Sequence, residues 1–212
     1  SNGSGKSSLI KVINGLSKPT RGEVVFKGRS LKSSPISERA KEIVTLTQDL
    51  NLSTFSHLTV LENCLIALHR NKKISFSISI KSQQEKIAHF LRQYNSCLCD
   101  KLDEPVYALS GGERQTLAFA MSIWSLPQLL LLDEHTSALD PHRARNLMRL
   151  TQEVISQNKM TAVVATHNLD DALHYGNRLI AMNKGKIILD LDSEQKNNCT
   201  KETLLSAYTQ TN

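Results

Sequence analysis

The sequence has no apolar stretch long enough to cross a bilayer. Its uninterrupted apolar runs, such as residues 129–132, fall far short of the ~18 residues a span requires, so a membrane-embedded chain is not expected. Cysteine is sparse: Cys64, Cys97, Cys99 and Cys199 form neither a C-x-x-C pair nor a dense frame. That excludes a disulfide-stapled scaffold and points to free thiols in a reducing compartment, with Cys97-x-Cys99 giving metal only weak support. Internal repeats, low-complexity tracts and heptads are also missing. The first residues do not read as a basic-then-apolar leader, so no secretory signal is expected in them. What remains is ordinary in composition: 212 residues, 23.6 kDa, 40% hydrophobic and 22% charged. That suffices for one α/β domain, or a domain with a subdomain, around a sizeable core. The formal net charge of +6 is carried by scattered Lys and Arg and reads as a solvated surface rather than a nucleic-acid-binding face.

The most informative stretch opens the chain. Ser1-Asn2-Gly3-Ser4-Gly5-Lys6-Ser7-Ser8 runs into Leu9-Ile10-Lys11-Val12-Ile13, a glycine-rich loop opening a helix. Gly3 and Gly5 let the backbone curl so that N–H groups face phosphate oxygens. The helix N-terminus adds partial positive charge, Lys6 reaches the β- and γ-phosphates, and the Ser7 hydroxyl suits Mg²⁺. A short Gly/Ser/Lys string is also what a solvated terminus looks like, so the reading depends on the rest of the chain. Leu9, Val12, Ile13 and Leu16 follow at helical spacing, closed by Gly15 and Pro19. Residues 22–28 predict a strand closed by a turn, and 43–47 a compact strand delivering Gln48 at its end. That is where open α/β sheets bind ligands.

The composition then changes. Residues 56–70, with an apolar stripe of Leu58, Leu61, Leu65 and Leu68, and residues 81–95 are helical in pattern, flanking a β-prone run at 74–80. This reads as a mostly helical subdomain inserted into an α/β core. Leu109-Ser110-Gly111-Gly112-Glu113 opens another helix running to about residue 125, with Ser110 as N-cap and two glycines exposing backbone N–H groups, a second anion site. Residues 129–132 are four leucines ahead of Asp133 and Glu134. They predict a central parallel strand buried on both faces, with Asp133 placed to hold Mg²⁺ and Glu134 to polarise a water. Asp140 and Pro141 open a helix through Gln157. A buried strand at 161–166, expected beside the Asp133 strand, ends on His167, and a short helix at 168–175 is stopped by Gly176. A hairpin of 178–182 with 186–191 and a tail helix at 201–208 complete the pattern.

In this order and with these gaps, the motifs resemble the ATPase subunit of an ABC transporter over nearly the whole chain. They are Walker A at 2–8, a Q-loop at Gln48, the signature at 109–113, Walker B ending in Asp133-Glu134, the D-loop at 137–140 and the switch His167. The resemblance implies a P-loop NTPase fold, a mostly parallel sheet flanked by helices. Residues 1–48 and 109–212 would form the RecA-like core, 49–108 the helical, signature-side insert, and the chain would carry a C-terminal β-hairpin. It also implies ATP and Mg²⁺ as cofactors. Asn2, Gly3, Ser4, Gly5, Lys6, Ser7, Ser8, Gln48, Ser110, Gly111, Gly112 and Asp140 are then the nucleotide contacts; Ser7, Gln48 and Asp133 serve the metal; Glu134, His167 and Lys6 are catalytic. In this family two copies pack head to tail, each ATP lying between one Walker A and the partner's signature, and the dimer works with a membrane permease.

Where the family commonly has Asp-Glu-Pro-Thr, this chain has Asp133-Glu134-His135-Thr136, and His135 reads as a subgroup trait rather than a catalytic group. The surrounding residues, with Ala165-Thr166-His167-Asn168 and Tyr175-Gly176-Asn177-Arg178, are similar to bacterial importers of the tryptophan/tyrosine type, which also use a separate substrate-binding protein. The implied location is the cytoplasmic face of the bacterial inner membrane. The family's first strands and its adenine-stacking aromatic are expected upstream of Ser1, so the chain as written reads as N-terminally truncated, and an alternative to an active subunit is a truncated copy with impaired hydrolysis. The alternative, an ABC-type ATPase of nucleic-acid repair or translation, carries either long coiled-coil inserts or two cassettes. Here 61 residues separate Gln48 from Ser110 and there is one cassette, so no nucleic-acid partner is expected.

Overall fold

The computed structural model describes residues 3–70 and 80–209, so the β-prone run at 74–80 lies outside it apart from Ile80. Helix α1 (Lys6–Asn14) starts from Gly5 and ends at Gly15, both left-handed at φ 100° and 90°, conformations glycine adopts without steric cost. Its buried residue is Ile10, while Leu9 and Leu16 are exposed; Gly15 ends the repeat before Leu16 joins it. The strand expected at 22–28 is instead two short antiparallel strands, β1 (Val25–Phe26) and β2 (Arg29–Ser30), turned by Lys27 and Gly28 at φ 51° and 74°. Two consecutive positive φ values are what a tight two-residue hairpin demands. An exposed helix, α2 (Ile36–Glu42), leads directly into β3 (Ile43–Leu46).

Helix α3 (Val60–His69) begins at Thr59, whose hydroxyl accepts the Glu62 N–H while the Glu62 carboxylate returns to the Thr59 N–H. This reciprocal cap moves the start from the expected 56 to 60. The buried face is Val60, Cys64 and Ala67, with Leu61 and Leu65 flanking it half-buried, so the leucine stripe lies one step off the true core face. Helix α4 (Ile80–Arg92) stops short of the expected Asn95, because Asn95 turns extended and caps α5 (Ser96–Asp100) through the Cys97 N–H. Then come α6 (Gly111–Ile123), β4 (Leu129–Asp133), α7 (Pro141–Gln157), β5 (Thr161–Ala165), α8 (Leu169–His174), β6 (Leu179–Asn183), β7 (Lys186–Leu191), α9 (Ser193–Asn197) and α10 (Lys201–Thr209).

The chain divides into two compact units, Ser1–Ile36 with Val164–Asn212, and Ser37–Val163. The three-stranded sheet has the order β3-β4-β5, the last two residues of β5 counting with the first unit, and in the second unit β3 pairs in parallel with β4, Ile43 opposite Leu129 through Leu46 opposite Leu132. All five residues of β4 are buried, as four consecutive leucines predict. The following strand was expected to be buried too, but Thr161 and Val163 of β5 are exposed, alternating with less exposed residues as on a strand with one face uncovered; β5 is last in the strand order among the described residues. A helical core of Val60, Ile87, Leu91, Leu98, Val106 and Leu117 joins α3, α4, α5 and α6. Each fully buried large apolar side chain there contributes about 1.5–3 kcal/mol.

In the first unit, β6 and β7 form an antiparallel hairpin turned by Lys184 and Gly185 at φ 48° and 77°. Leu179, Ala181 and Leu204 make its small core, packed by Leu173 and Leu191 among others. The Lys196 ammonium is buried against the end of α8, donating to the Tyr175 and Gly176 carbonyls. Burial holds its pKa below the usual lysine value, and a cation at a helix C-terminus is favourably placed. The four cysteines are free thiols, and burial pushes the Cys64 thiol up to about 12.

Candidate active site

The glycine-rich loop and His167 lie in the first unit; Gln48, Ser110, Gly111, Gly112, Asp133, Glu134 and Asp140 lie in the second. Asn2 falls outside the described residues. Gly3 and Gly5 take φ 79° and 100°, and a Cβ on Gly3 would meet no heavy atom within 4 Å. The loop backbone is therefore open to approach at Gly3. No side chain caps α1 at Gly5, so the first-turn N–H groups and the helix dipole face the space an anion would enter. The Lys6 ammonium donates to the Ser4 hydroxyl at 3.3 Å, and Ser4 is buried while Ser7 and Ser8 are exposed. The hairpin supports the loop from behind: the Gly185 N–H donates to the Ser4 carbonyl at 3.0 Å, and Gly185 Cα lies 3.4 Å from where a Cβ on Gly5 would be. Sequence reading missed this support, since 181 residues separate Ser4 from Gly185. His167 is exposed, just ahead of Asn168, which caps α8 through the Asp170 and Asp171 N–H groups.

In the second unit the β3–β4 register brings the C-terminal ends of both strands together, so Gln48 and the Asp133-Glu134 pair leave the sheet at the same edge. Asp133 is buried as the last residue of β4. Glu134 turns left-handed at φ 50°, a sparsely populated state for a residue with a Cβ and one that clusters at functional sites. A tight turn follows, with the Ser137 N–H on the Glu134 carbonyl at 3.0 Å, and it ends at Asp140. Asp140 caps α7 by accepting the His142 and Arg143 N–H groups at 3.1 and 3.0 Å. The Arg143 N–H and then the His142 N–H hold its carboxyl below the usual range.

The start of α6 is organised with equal care. Ser110 and Glu113 form a reciprocal cap, while the N–H groups of Gly111 and Gly112 precede the first intrahelical bond, Arg114 N–H to Ser110 carbonyl at 2.9 Å. The Arg143 guanidinium sits over Gly112: its Nη1 is 2.8 Å from where a Cβ would be. Arg114, on the same turn, donates to Asn51, Thr54 and Ser56 at 2.7, 3.0 and 3.0 Å, tying the signature helix to the segment after Gln48. Nothing in a single sequence marks Arg114 for that role.

His135 is buried beside the site. Its Nε2 lies 3.2 Å from the Thr151 hydroxyl, which donates its only proton to the Leu147 carbonyl at 2.7 Å. Towards the ring Thr151 can therefore only accept, so Nε2 carries the proton. The ring stacks near Phe119, and burial lowers its pKa from 6.5 to about 4. It is a core residue that anchors the turn after Glu134 to α7.

The donor chemistry fits the two groups such a site would hold. The open backbone at Gly3 and the start of α1, which no side chain caps, suit a phosphate. Among the described residues no three His, Cys, Asp or Glu side chains cluster as a metal cage. The Ser7 hydroxyl in the first unit, and the Gln48 amide oxygen and Asp133 carboxylate in the second, are each hard oxygen donors of the kind Mg²⁺ takes.

The pattern of the ABC transporter family matches residues 1–137. The chain belongs to the ABC transporter family. It is 36% identical over 208 residues to the tyrosine transport ATP-binding protein of Clostridioides difficile (strain R20291), covering 98% of this chain and 83% of that protein. It is 35% identical over 189 residues to the general L-amino acid transport ATP-binding protein AapP of Rhizobium johnstonii, covering 88% and 70%. A dimeric post-hydrolysis structure of the ATP-binding cassette MJ0796 bound to ADP and Pi superposes with a TM-score of 0.77 at 26% identity, covering 91% of this chain and 82% of that one. The P-loop NTPase fold expected from the sequence is thus present, and the protein is an ABC-type ATPase that binds and hydrolyses ATP to drive transport. Among the described residues no helix is long and apolar enough to cross a membrane.

Proposed function

We propose that this ABC ATPase energises uptake of a small solute, an amino acid of the tyrosine or tryptophan kind. It would act through a membrane permease and a separate substrate-binding protein, from the cytoplasmic face of the inner membrane. The carrying observation is the likeness over 98% of the chain to a tyrosine transport ATP-binding protein. The loop N–H groups of Asn2, Gly3, Ser4, Gly5 and Ser8 cradle the phosphates of ATP, and Lys6 binds the β- and γ-phosphates. Ser7, Gln48 and Asp133 supply oxygens to Mg²⁺, Asp133 through water. The bound cation neutralises charge on the phosphates. Glu134 orients the attacking water and accepts its proton, and His167 contacts the γ-phosphate. A second copy closes head to tail, with Ser110, Gly111 and Gly112 meeting the phosphate from across the interface and Asp140 setting the loop beside them. Support for closure by two copies comes from the dimeric state of the MJ0796 structure.

Permease contact is assigned to a groove of about 280 Å³ in the second unit, between the segment after Gln48 and helices α3 and α6. Leu52, Phe55 and Ile66 on its rim are exposed apolar side chains. The proposal is tested in cells whose copy carries Glu134→Gln, which should bind ATP but not turn it over. Accumulation of labelled tyrosine should fall to background, and undiminished accumulation would overturn the reading.

A further inference from the structure

The first turn of α6 is the part of the site that faces a phosphate carried by another molecule, and it contains an acid. Gly111 and Gly112 offer N–H groups at the positive end of the helix, and Glu113 follows them immediately. An acid in a first turn stabilises its own helix, but a carboxylate one residue from Gly112 repels an incoming triphosphate. A glutamine would form the same cap without the charge.

Both oxygens of Glu113 are engaged. Oε2 accepts the Ser110 N–H at 2.8 Å, and Oε1 accepts the Lys101 ammonium at 2.9 Å, from the end of α5. The pair is partly shielded, with the Lys101 and Glu113 side chains 30% and 17% exposed, so its charges cancel locally more than an open surface pair's would. The Glu113 N–H in turn donates to the Ser110 hydroxyl oxygen at 3.3 Å. The cap therefore uses a lone pair of the Ser110 oxygen, and the Ser110 hydroxyl also bonds the Glu113 carboxylate, so Glu113 holds that hydroxyl in place. The hydrogen bond from Lys101, with a smaller one from Ser110, holds the Glu113 carboxyl below its ordinary range, which keeps the pair ionised.

We propose that Lys101 is a positioning residue of the ATP sandwich: it cancels the Glu113 charge at the end of α6 that meets the partner copy's triphosphate, and it fixes the cap that orients the Ser110 hydroxyl. This rests on the reading that two copies close over ATP. A surface charge interaction changes an equilibrium by up to about fivefold, and two sites per dimer multiply that to roughly 25-fold.

The test uses the full-length protein with Glu134→Gln as parent and measures dimerisation by sedimentation over a concentration series with Mg·ATP. Lys101→Met should raise the dimer dissociation constant by more than about threefold and up to roughly 25-fold, with the deficit shrinking at high salt. Glu113→Gln alone should change it by less than about threefold, and Lys101→Met with Glu113→Gln should return to within about threefold of the parent. A merely structural lysine would show the same loss and rescue in urea unfolding of the monomer, whereas a positioning lysine shows them in the dimer dissociation constant while monomer stability stays within about 0.5 kcal/mol. Binding of fluorescent ATP to the monomer checks that each variant folds. If Lys101→Met alone fails that check, the double variant against Glu113→Gln still decides, because Lys101 should then be silent. The proposal is overturned if Lys101→Met dimerises like the parent, or if the double variant stays well below Glu113→Gln. A parent that remains monomeric with ATP overturns the sandwich itself, and is told apart because the failure precedes any change at Lys101.

Discussion

Acid should loosen this protein through His135. The imidazole is 1% exposed and its Nε2–H is fixed on Thr151, so the folded state holds it neutral, with a pKa lowered from 6.5 to about 4 by burial. The unfolded chain begins to bind that proton near the ordinary value of 6.5, whereas the folded chain does not until about 4. Stability from the neutral ring is therefore full above pH 6.5 and is lost as pH falls towards 4. At 1.36 kcal/mol per unit the total loss is about 3 kcal/mol, of which about 2 kcal/mol is gone by pH 5. Urea unfolding at a series of pH values, in magnesium-free buffer so that Asp133 is treated alike throughout, measures it. His135→Phe keeps a ring of similar size beside Phe119 and leaves the Thr151 hydroxyl donating to Leu147. Carboxylates contribute equally to both proteins, so the difference between their slopes isolates His135. The variant should lose about 2 kcal/mol less than the wild type between pH 7 and pH 5. Parallel slopes would refute the argument.

Two further substitutions separate folding from function. Asn63 is fully buried; it accepts the Phe55 N–H at 2.8 Å and donates to the Phe55, Leu58 and Thr59 carbonyls, so Asn63→Ala should cost about 3 kcal/mol in urea unfolding. A cost below about 1 kcal/mol would show that those bonds do not hold the segment after Gln48. Gly112→Ala should change stability by less than about 1 kcal/mol, because the crowding atoms, Nη1 at 2.8 Å and Cδ at 3.2 Å, belong to one exposed, flexible Arg143 side chain and Ala favours the helix, yet reduce ATP turnover about tenfold or more by blocking approach to the helix start. Retained turnover would remove Gly112 from the interface with phosphate.

How much of this was legible in the sequence depended on whether the signal was local. The buried β4 strand followed from four leucines, the α7 start from Asp140-Pro141, and the α6 cap from Ser110 with Glu113 three residues on, because each is written within a few positions. Helix α2 buries none of its residues, so no periodicity announced it. The core face of α3 was misplaced by one step, since leucines flank Val60, Cys64 and Ala67 on a helix covered from more than one side. Among site residues, the glycine-rich loop, Asp133 and Glu134 carried recognisable patterns. The supports did not: the Gly185–Ser4 bond, the Arg114 ties to residues 51–56 and the burial of His135 all arise from packing between distant segments.

In the proposed sandwich ATP joins two copies, one supplying the glycine-rich loop and the other the start of α6. The most direct measurement is the mass of the Glu134→Gln protein in solution by sedimentation, with Mg·ATP and then with Mg·ADP. Twice the monomer mass is expected with ATP, and the monomer mass with ADP. A monomer under both conditions would contradict the sandwich.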